Sequence, residues 1–202
     1  MQAGSDALAP LPPAGTYRYH LSGKSTSAFG STSYDETTTQ TVDRPAPNRA
    51  HSSETDQGAT TEETLVARSD GVYLTDLHIS QTGFNADFKP IGSALLYPGH
   101  IARGQKWHWS LKSSDGAYTL HAQFVVTDSN SSTTTADGQR VATVSVAGVL
   151  HIDGSTVNLT IHQQDQATRG AVIVREHAVT DGTAYGTKVH NDARRVLLHQ
   201  PS

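Results

Sequence analysis

Residues 118–126 read Tyr-Thr-Leu-His-Ala-Gln-Phe-Val-Val. Successive side chains of an extended strand point to opposite faces, so Tyr118, Leu120, Ala122, Phe124 and Val126 form one apolar stripe, backed by Thr119, His121 and Gln123. Asp137-Gly138 follows, a dipeptide suited to tight hairpin turns because Gly and short polar residues tolerate positive φ. Beyond it Val144, Val146 and Leu150 alternate with Thr143, Ser145 and His151. Two runs of period two joined by such a turn predict an antiparallel hairpin.

The same grammar extends in both directions. Asp-Gly recurs at 70–71, 115–116, 153–154 and 181–182, each time beside a run with strand character. Tyr17, Tyr19 and Leu21 share a face; so do Trp107, Trp109 and Leu111, and so do Val157, Leu159 and Ile161. Tyr73, Thr75, Leu77 and Ile79 oppose Leu74, Asp76 and His78. Residues 171–179 are apolar on both faces at their start, and 191–198 fit a short helix or a last strand. The pattern predicts a meander of about ten or eleven antiparallel strands.

Composition narrows the class. The 202 residues are 35% hydrophobic and 17% charged, with 25 Thr and 20 Ser in place of the missing apolar and charged residues. No apolar run approaches the ~18 residues of a membrane-spanning helix. The lack of Cys excludes disulfides, thiolate metal sites and thiol catalysis. A net charge of −4 without a basic stripe argues against nucleic acid as a partner. Residues 1–66 hold eight acids and four bases, whereas 67–202 hold eleven of each. The excess falls on the Thr-rich runs 32–42 and 51–64, which are expected to be wet strands forming a solvated edge.

Residues 1–14, with Pro10, Pro12 and Pro13, are expected to be a flexible, extended lead-in to a single all-β domain over 15–202. They lack the basic and apolar regions of a signal peptide. Either a secretion or lipoprotein signal has been removed ahead of Met1 or the protein is cytosolic with a short tail; the hydroxyl-rich, Lys-poor composition favours the first, an extracellular or cell-envelope protein. Peripheral membrane association through such a lipid anchor is then expected.

Residues 84–104 break the meander. Phe84, Phe88, Ile91, Leu95, Leu96 and Tyr97 are interrupted by Pro90, Pro98 and Gly at 92, 99 and 104. This is the pattern of an irregular apolar segment crossing the mouth of a sheet. Strands with one apolar face each, and no convincing helix to cover them, must curl into a half-barrel, barrel or sandwich. The expected fold is therefore all-β: a strongly curved antiparallel meander, half-barrel or barrel-like, with one irregular apolar crossing segment.

The order of features resembles the bacterial lipoprotein-carrier half-barrels of the LolA-like and LppX/LprG-like type. The likeness rests on Gly15-Thr16-Tyr17-Arg18-Tyr19, Asp70-Gly71-Val72-Tyr73-Leu74, Pro98-Gly99, Trp107-His108-Trp109, Arg169-Gly170 and Val172-Ile173-Val174-Arg175-Glu176. It spans most of the chain as a pattern, and the helices that plug such half-barrels are missing. The resemblance implies a concave face sheltering an acyl chain or an apolar segment of a partner.

Large apolar side chains on the stripes and crossing segment are the candidate ligand-binding residues: Phe84, Phe88, Leu95, Tyr97, Trp107, Trp109, Tyr118, Leu120 and Phe124. The expected partner is a lipid or other hydrophobic small molecule. No catalytic residue, metal ligand or cofactor is assigned. His121, His151 and His162 would cluster if their strands adjoin, although histidines on a hydrated sheet face serve as ordinary polar residues. Hydrolase chemistry lacks a Gly-x-Ser-x-Gly elbow, and adjacent acids such as Glu62-Glu63 fall on opposite strand faces. The alternative is a structural or adhesive β-sandwich without a small ligand; a hydrolase or metal-dependent enzyme is the third reading.

Overall fold

A computed structural model describes residues 8–56, 58–81 and 84–199. Thirteen strands account for most of them: β1 (Gly15–Ser27), β2 (Gly30–Ala46), β3 (Arg49–Asp56), β4 (Ala59–Arg68), β5 (Gly71–Gln81), β6 (Phe84–Pro90), β7 (Ala94–Pro98), β8 (Lys106–Ser113), β9 (Tyr118–Thr134), β10 (Arg140–Gly154), β11 (Val157–Ala167), β12 (Ile173–Ala184) and β13 (Thr187–His199). Every pairing is antiparallel, and each strand pairs with its sequence neighbour except around β7. The meander closes on itself. β13 returns to β1 from Arg18↔His199 to Ser27↔Val189, and β4 pairs with β5 from Thr60↔Ser80 to Arg68↔Gly71. The result is a closed barrel of twelve strands, with β7 attached beside β5.

Closure supplies the cover that the one-sided stripes require. Tyr17, Tyr19, Val42, Ala50, Leu65, Leu74, Phe88, Trp109, Leu111, Leu120, Val126, Val144, Val174 and Leu197 come from strands all round the ring and form one core. Residues 191–198 belong to the last strand.

The segment over 84–104 interrupts the meander and contains two short strands. β5 has neighbours along both halves of this side: its second half pairs with β6, its first half with β7. β6 reaches β8 through only Phe88↔Ser113, Lys89↔Lys112 and Pro90↔Leu111. Pro90 has no N–H to donate, which suits the end of a ladder. Where β7 and β8 lie together without a ladder, Trp107 Nε1 donates to Leu96 O at 3.2 Å.

Three local expectations change. Asp70-Gly71, Asp115-Gly116 and Asp137-Gly138 lie in or against turns, and Asp153-Gly154 ends β10 just before one, but Asp181-Gly182 lies within β12. The turn there is formed by Tyr185-Gly186, with φ values of 52° and 75°. Gly182 has φ 153°, and a Cβ at this position would lie 2.0 Å from Asn158 O, so the residue serves a close strand approach. Second, residues 32–42 and 51–64 do not make a solvated edge. β2, β3 and β4 are ring members, and alternate residues project inward.

Third, the lead-in does not stand free from residue 8 onward; residues 1–7 lie outside the described residues. Ala9 N donates to Arg68 O at 2.9 Å, and Ala9, Leu11 and Pro12 are buried. Arg44 Nη1 and Tyr17 Oη donate to the carbonyls of Pro12 and Pro13. The chain's own approach to β1 thus covers one end of the barrel. At the other end the β1–β2 and β12–β13 hairpins present Phe29 and Tyr185 to solvent.

Candidate functional site

Inside the barrel lies a cavity of about 320 Å³. Its wall has two chemistries. Leu74, Leu77, Ile79, Leu96, Trp107, Trp109, Leu120, Phe124, Leu150, Ile152 and Ile161, from β5 to β11, make it apolar on one side. Trp107 stacks on Phe124 with ring centroids 5.3 Å apart and 19° between planes, and Trp109 tilts against the same ring at 6.0 Å. These flat side chains line space without filling it.

The other side is polar and comes largely from the strands with few apolar residues. Glu54 of β3, Glu63 of β4, Gln163 and Asp165 of β11, Glu176 of β12 and Arg195 of β13 all line the cavity. Arg195 Nη2 is 2.8 Å from Glu54 Oε2, and Nη1 is 3.7 Å from Glu176 Oε2. The Nη2 contact is a close ion pair without an aligned hydrogen bond, and the buried Nε has no partner among the described residues. Below the guanidinium lies the Tyr19 ring. Tyr19 Oη donates to Gln40 Oε1 at 3.1 Å, and Gln40 Nε2 to Ser52 Oγ at 2.8 Å. A chain of polar contacts therefore runs from β13 through β1 and β2 to β3.

Burial disfavours charge on Glu63, Asp165 and Glu176. It pushes Glu63 up to about 7, with Glu54 adding repulsion and Arg195 opposing it. Asp165 lies well above the usual carboxylate range, through burial first and the nearby Glu176 second. Glu176 is raised by burial, against the pull of Arg195. Burial also lifts the phenols of Tyr19 and Tyr97, and that of Tyr17 to about 12. For Arg195 burial works against the cation, but Glu54, Tyr19, Glu176 and Glu63 more than offset it. One fixed positive charge thus sits among four carboxyl groups.

Of the candidate ligand-binding residues, Tyr97, Trp107, Trp109, Leu120 and Phe124 line this cavity. The others serve the walls. Phe84 meets Tyr118 edge-on at 5.0 Å, Phe88 is fully buried between neighbours, and Leu95 packs beside Gly71. The polar cluster is what sequence reasoning missed. The signal in the sequence is slight: Glu63 stands two residues from Leu65 and Arg195 from Leu197, both of them buried. Strand parity places each charge on the inward face.

The histidines lie elsewhere. His121 and His151 are cross-strand partners, bonded to Ser110 Oγ at 2.7 Å and Thr160 Oγ1 at 3.1 Å, and His162 pairs opposite Val149. Among the described residues no group of three or more His, Asp or Glu is placed to hold a metal ion.

No family model matches the chain, and no curated protein does so significantly. Solved structures with a similar course include a protein from Bacteroides fragilis assigned as exported, with a YmcC-like fold. The two share 10% identity over 97% of this chain and 100% of that one, at a TM-score of 0.47. A protein from Parabacteroides distasonis assigned as a lipoprotein shares 11% identity over 95% and 97% of the two chains, at 0.41. The hypothetical lipoprotein YmcC of Escherichia coli shares 11% over 91% and 88%, at 0.39.

Proposed function

We propose that this chain is an exported, non-enzymatic binding protein that shelters an apolar or amphipathic small molecule inside its barrel. The observation that carries the reading is the cavity of about 320 Å³, walled on one side by Trp107, Trp109, Phe124 and the aliphatic residues of β9 to β11. Small-molecule sites are concave, mostly apolar and marked by a few convergent polar groups, and they begin near ~300 Å³. Export is supported by the hydroxyl-rich composition with only five Lys.

A structural or adhesive module would fill its interior with its own side chains, because unfilled apolar space weakens a core. The alternative built on a sandwich also needs two facing sheets, where this chain has one closed ring. A hydrolase of the Ser–His type would need a histidine beside its nucleophile, and no His lines the cavity.

The test is uptake of the neutral dye phenylnaphthylamine, with displacement by decanol, together with native mass spectrometry of the purified protein. Saturable enhancement of dye emission, reversed by decanol and reduced in Trp107→Ala, is the expected result. A folded protein that takes up neither dye nor decanol overturns the reading.

A further inference from the structure

The polar half of the cavity specifies the head of the ligand; this inference rests on the proposed binding function. Four carboxyl groups, those of Glu54, Glu63, Asp165 and Glu176, share one cation, Arg195. Arg195 is committed to Glu54 and Glu176, with its face against Tyr19. Glu63 and Asp165 form no ion pair among those found in the described residues. Asp165 is the sharper case: its side chain lines the cavity, the residue is 5% exposed, and Oδ2 accepts from Gln163 Nε2 at 2.7 Å. Its Oδ1 is buried without a partner. An unpaired buried acceptor carries a desolvation penalty that a donor in the cavity would relieve.

We propose that the barrel binds a cationic amphipath, an organic ammonium whose N–H groups engage Asp165 in the cavity that Glu63 also lines, and whose apolar body lies along Trp107, Phe124 and the aliphatic wall. A primary ammonium offers three donors and a positive charge, the complement of a site with surplus acceptors and surplus acid. A carboxylate or phosphate head meets the reverse. It would have to draw Arg195 away from Glu54 and Glu176, leaving two buried acids unneutralised. An uncharged alcohol satisfies one acceptor and leaves the charge balance untouched.

Binding is also tied to protons. Groups facing the proposed head site come from several strands: Tyr17 and Tyr19 of β1, Glu54 of β3, Glu63 of β4, Tyr97 of β7, Asp165 of β11, Glu176 of β12 and Arg195 of β13. Asp56 of β3 and Glu36 of β2 lie nearby. Burial favours the protonated forms of Glu63 and Asp165, and an arriving ammonium favours their ionised forms. The acids release protons to the buffer as the cation enters, so affinity rises from pH 5 to pH 8.

The experiment is calorimetric titration of the whole protein with decylammonium, decanol and decanoate, in two buffers of different ionisation enthalpy. Decylammonium should bind at least about tenfold tighter than decanol, with net proton release, and decanoate more weakly than decanol. Asp165→Asn and Glu63→Gln, near-isosteric and uncharged, should each reduce the preference for ammonium over alcohol, read as the ratio of the two affinities within the same variant. If one variant fails to fold, the other decides. Equal binding of ammonium and alcohol, tighter binding of decanoate, or a preference unchanged in both variants overturns the assignment of the head while leaving the sheltering function standing. A protein that binds none of the three overturns both.

Discussion

The guanidinium of Arg195 lies over the ring of Tyr19, its Cζ 3.7 Å from the ring centroid, while its edge meets Glu54. One residue thereby links β13, β1 and β3 across the barrel interior. Removing such a cation strands the acids it neutralises. Arg195→Met is expected to destabilise the protein by about 3–5 kcal/mol at pH 7 in urea unfolding. The deficit should shrink at pH 5, where Glu176, raised by burial, accepts a proton more readily, and in the double variant with Glu54→Gln. A deficit that is the same at both pH values would refute the charge argument.

Stability should fall as pH rises through neutrality. Glu63 is raised from 4.5 to about 7 and Asp56 from 3.8 to about 6, in both cases chiefly by burial. A folded-state pKa above the unfolded value means that the native state holds more protons, and the stability this contributes is lost as pH climbs through the folded pKa. For Glu63 alone the loss between pH 4.5 and 8 is of order 3 kcal/mol. Urea midpoints measured across that range should decline, and Glu63→Gln should flatten the curve. A wild-type profile that rises instead would contradict the burial argument.

The two tryptophans should respond differently to the same substitution. Trp107 Nε1 donates to Leu96 O at 3.2 Å, whereas Trp109 Nε1 is buried with no partner among the described residues. Replacing either by Phe removes similar volume, but only Trp107→Phe breaks a hydrogen bond and orphans a carbonyl. It should cost at least ~1 kcal/mol more than Trp109→Phe by urea unfolding. Equal costs would mean that the bond contributes nothing.

Gly182→Ala tests the close approach within β12. The new Cβ would lie 2.0 Å from a backbone oxygen, at a φ of 153°. Neither can be relieved by rotating a side chain, so a loss of about 2 kcal/mol or more is expected in thermal unfolding. Gly138→Ala, where a Cβ meets nothing within 4 Å, isolates the effect of positive φ alone.

The sequence made the curled sheet legible because alternation is a local property. Tyr118 to Val126 states its own two faces, and three of the Asp-Gly pairs fall where tight turns are needed. Asp181-Gly182 misleads because a dipeptide that permits a turn does not require one. The acid excess of residues 1–66 misleads for another reason. Outward and inward acids look alike until closure decides which face is interior, and the pairing of β1 with β13 that closes the ring is a long-range event. Arg194 and Arg195 show how little separates the two cases, since parity with Leu197 assigns only the second to the inside. The likeness to carrier half-barrels reaches as far as a curled antiparallel sheet.

The seam between β1 and β13 has a consequence for the order of assembly. Neighbouring strands can pair as hairpins as soon as both exist, but Ser22 and Arg194 come from opposite ends of the chain. Contacts of such sequence separation form late and slowly. Arg195 arrives with that last strand. Until it does, Glu54, Glu63, Asp165 and Glu176 have no fixed cation among them and the interior must stay hydrated. Shutting the ring, drying the interior and neutralising its acids are therefore a single folding event.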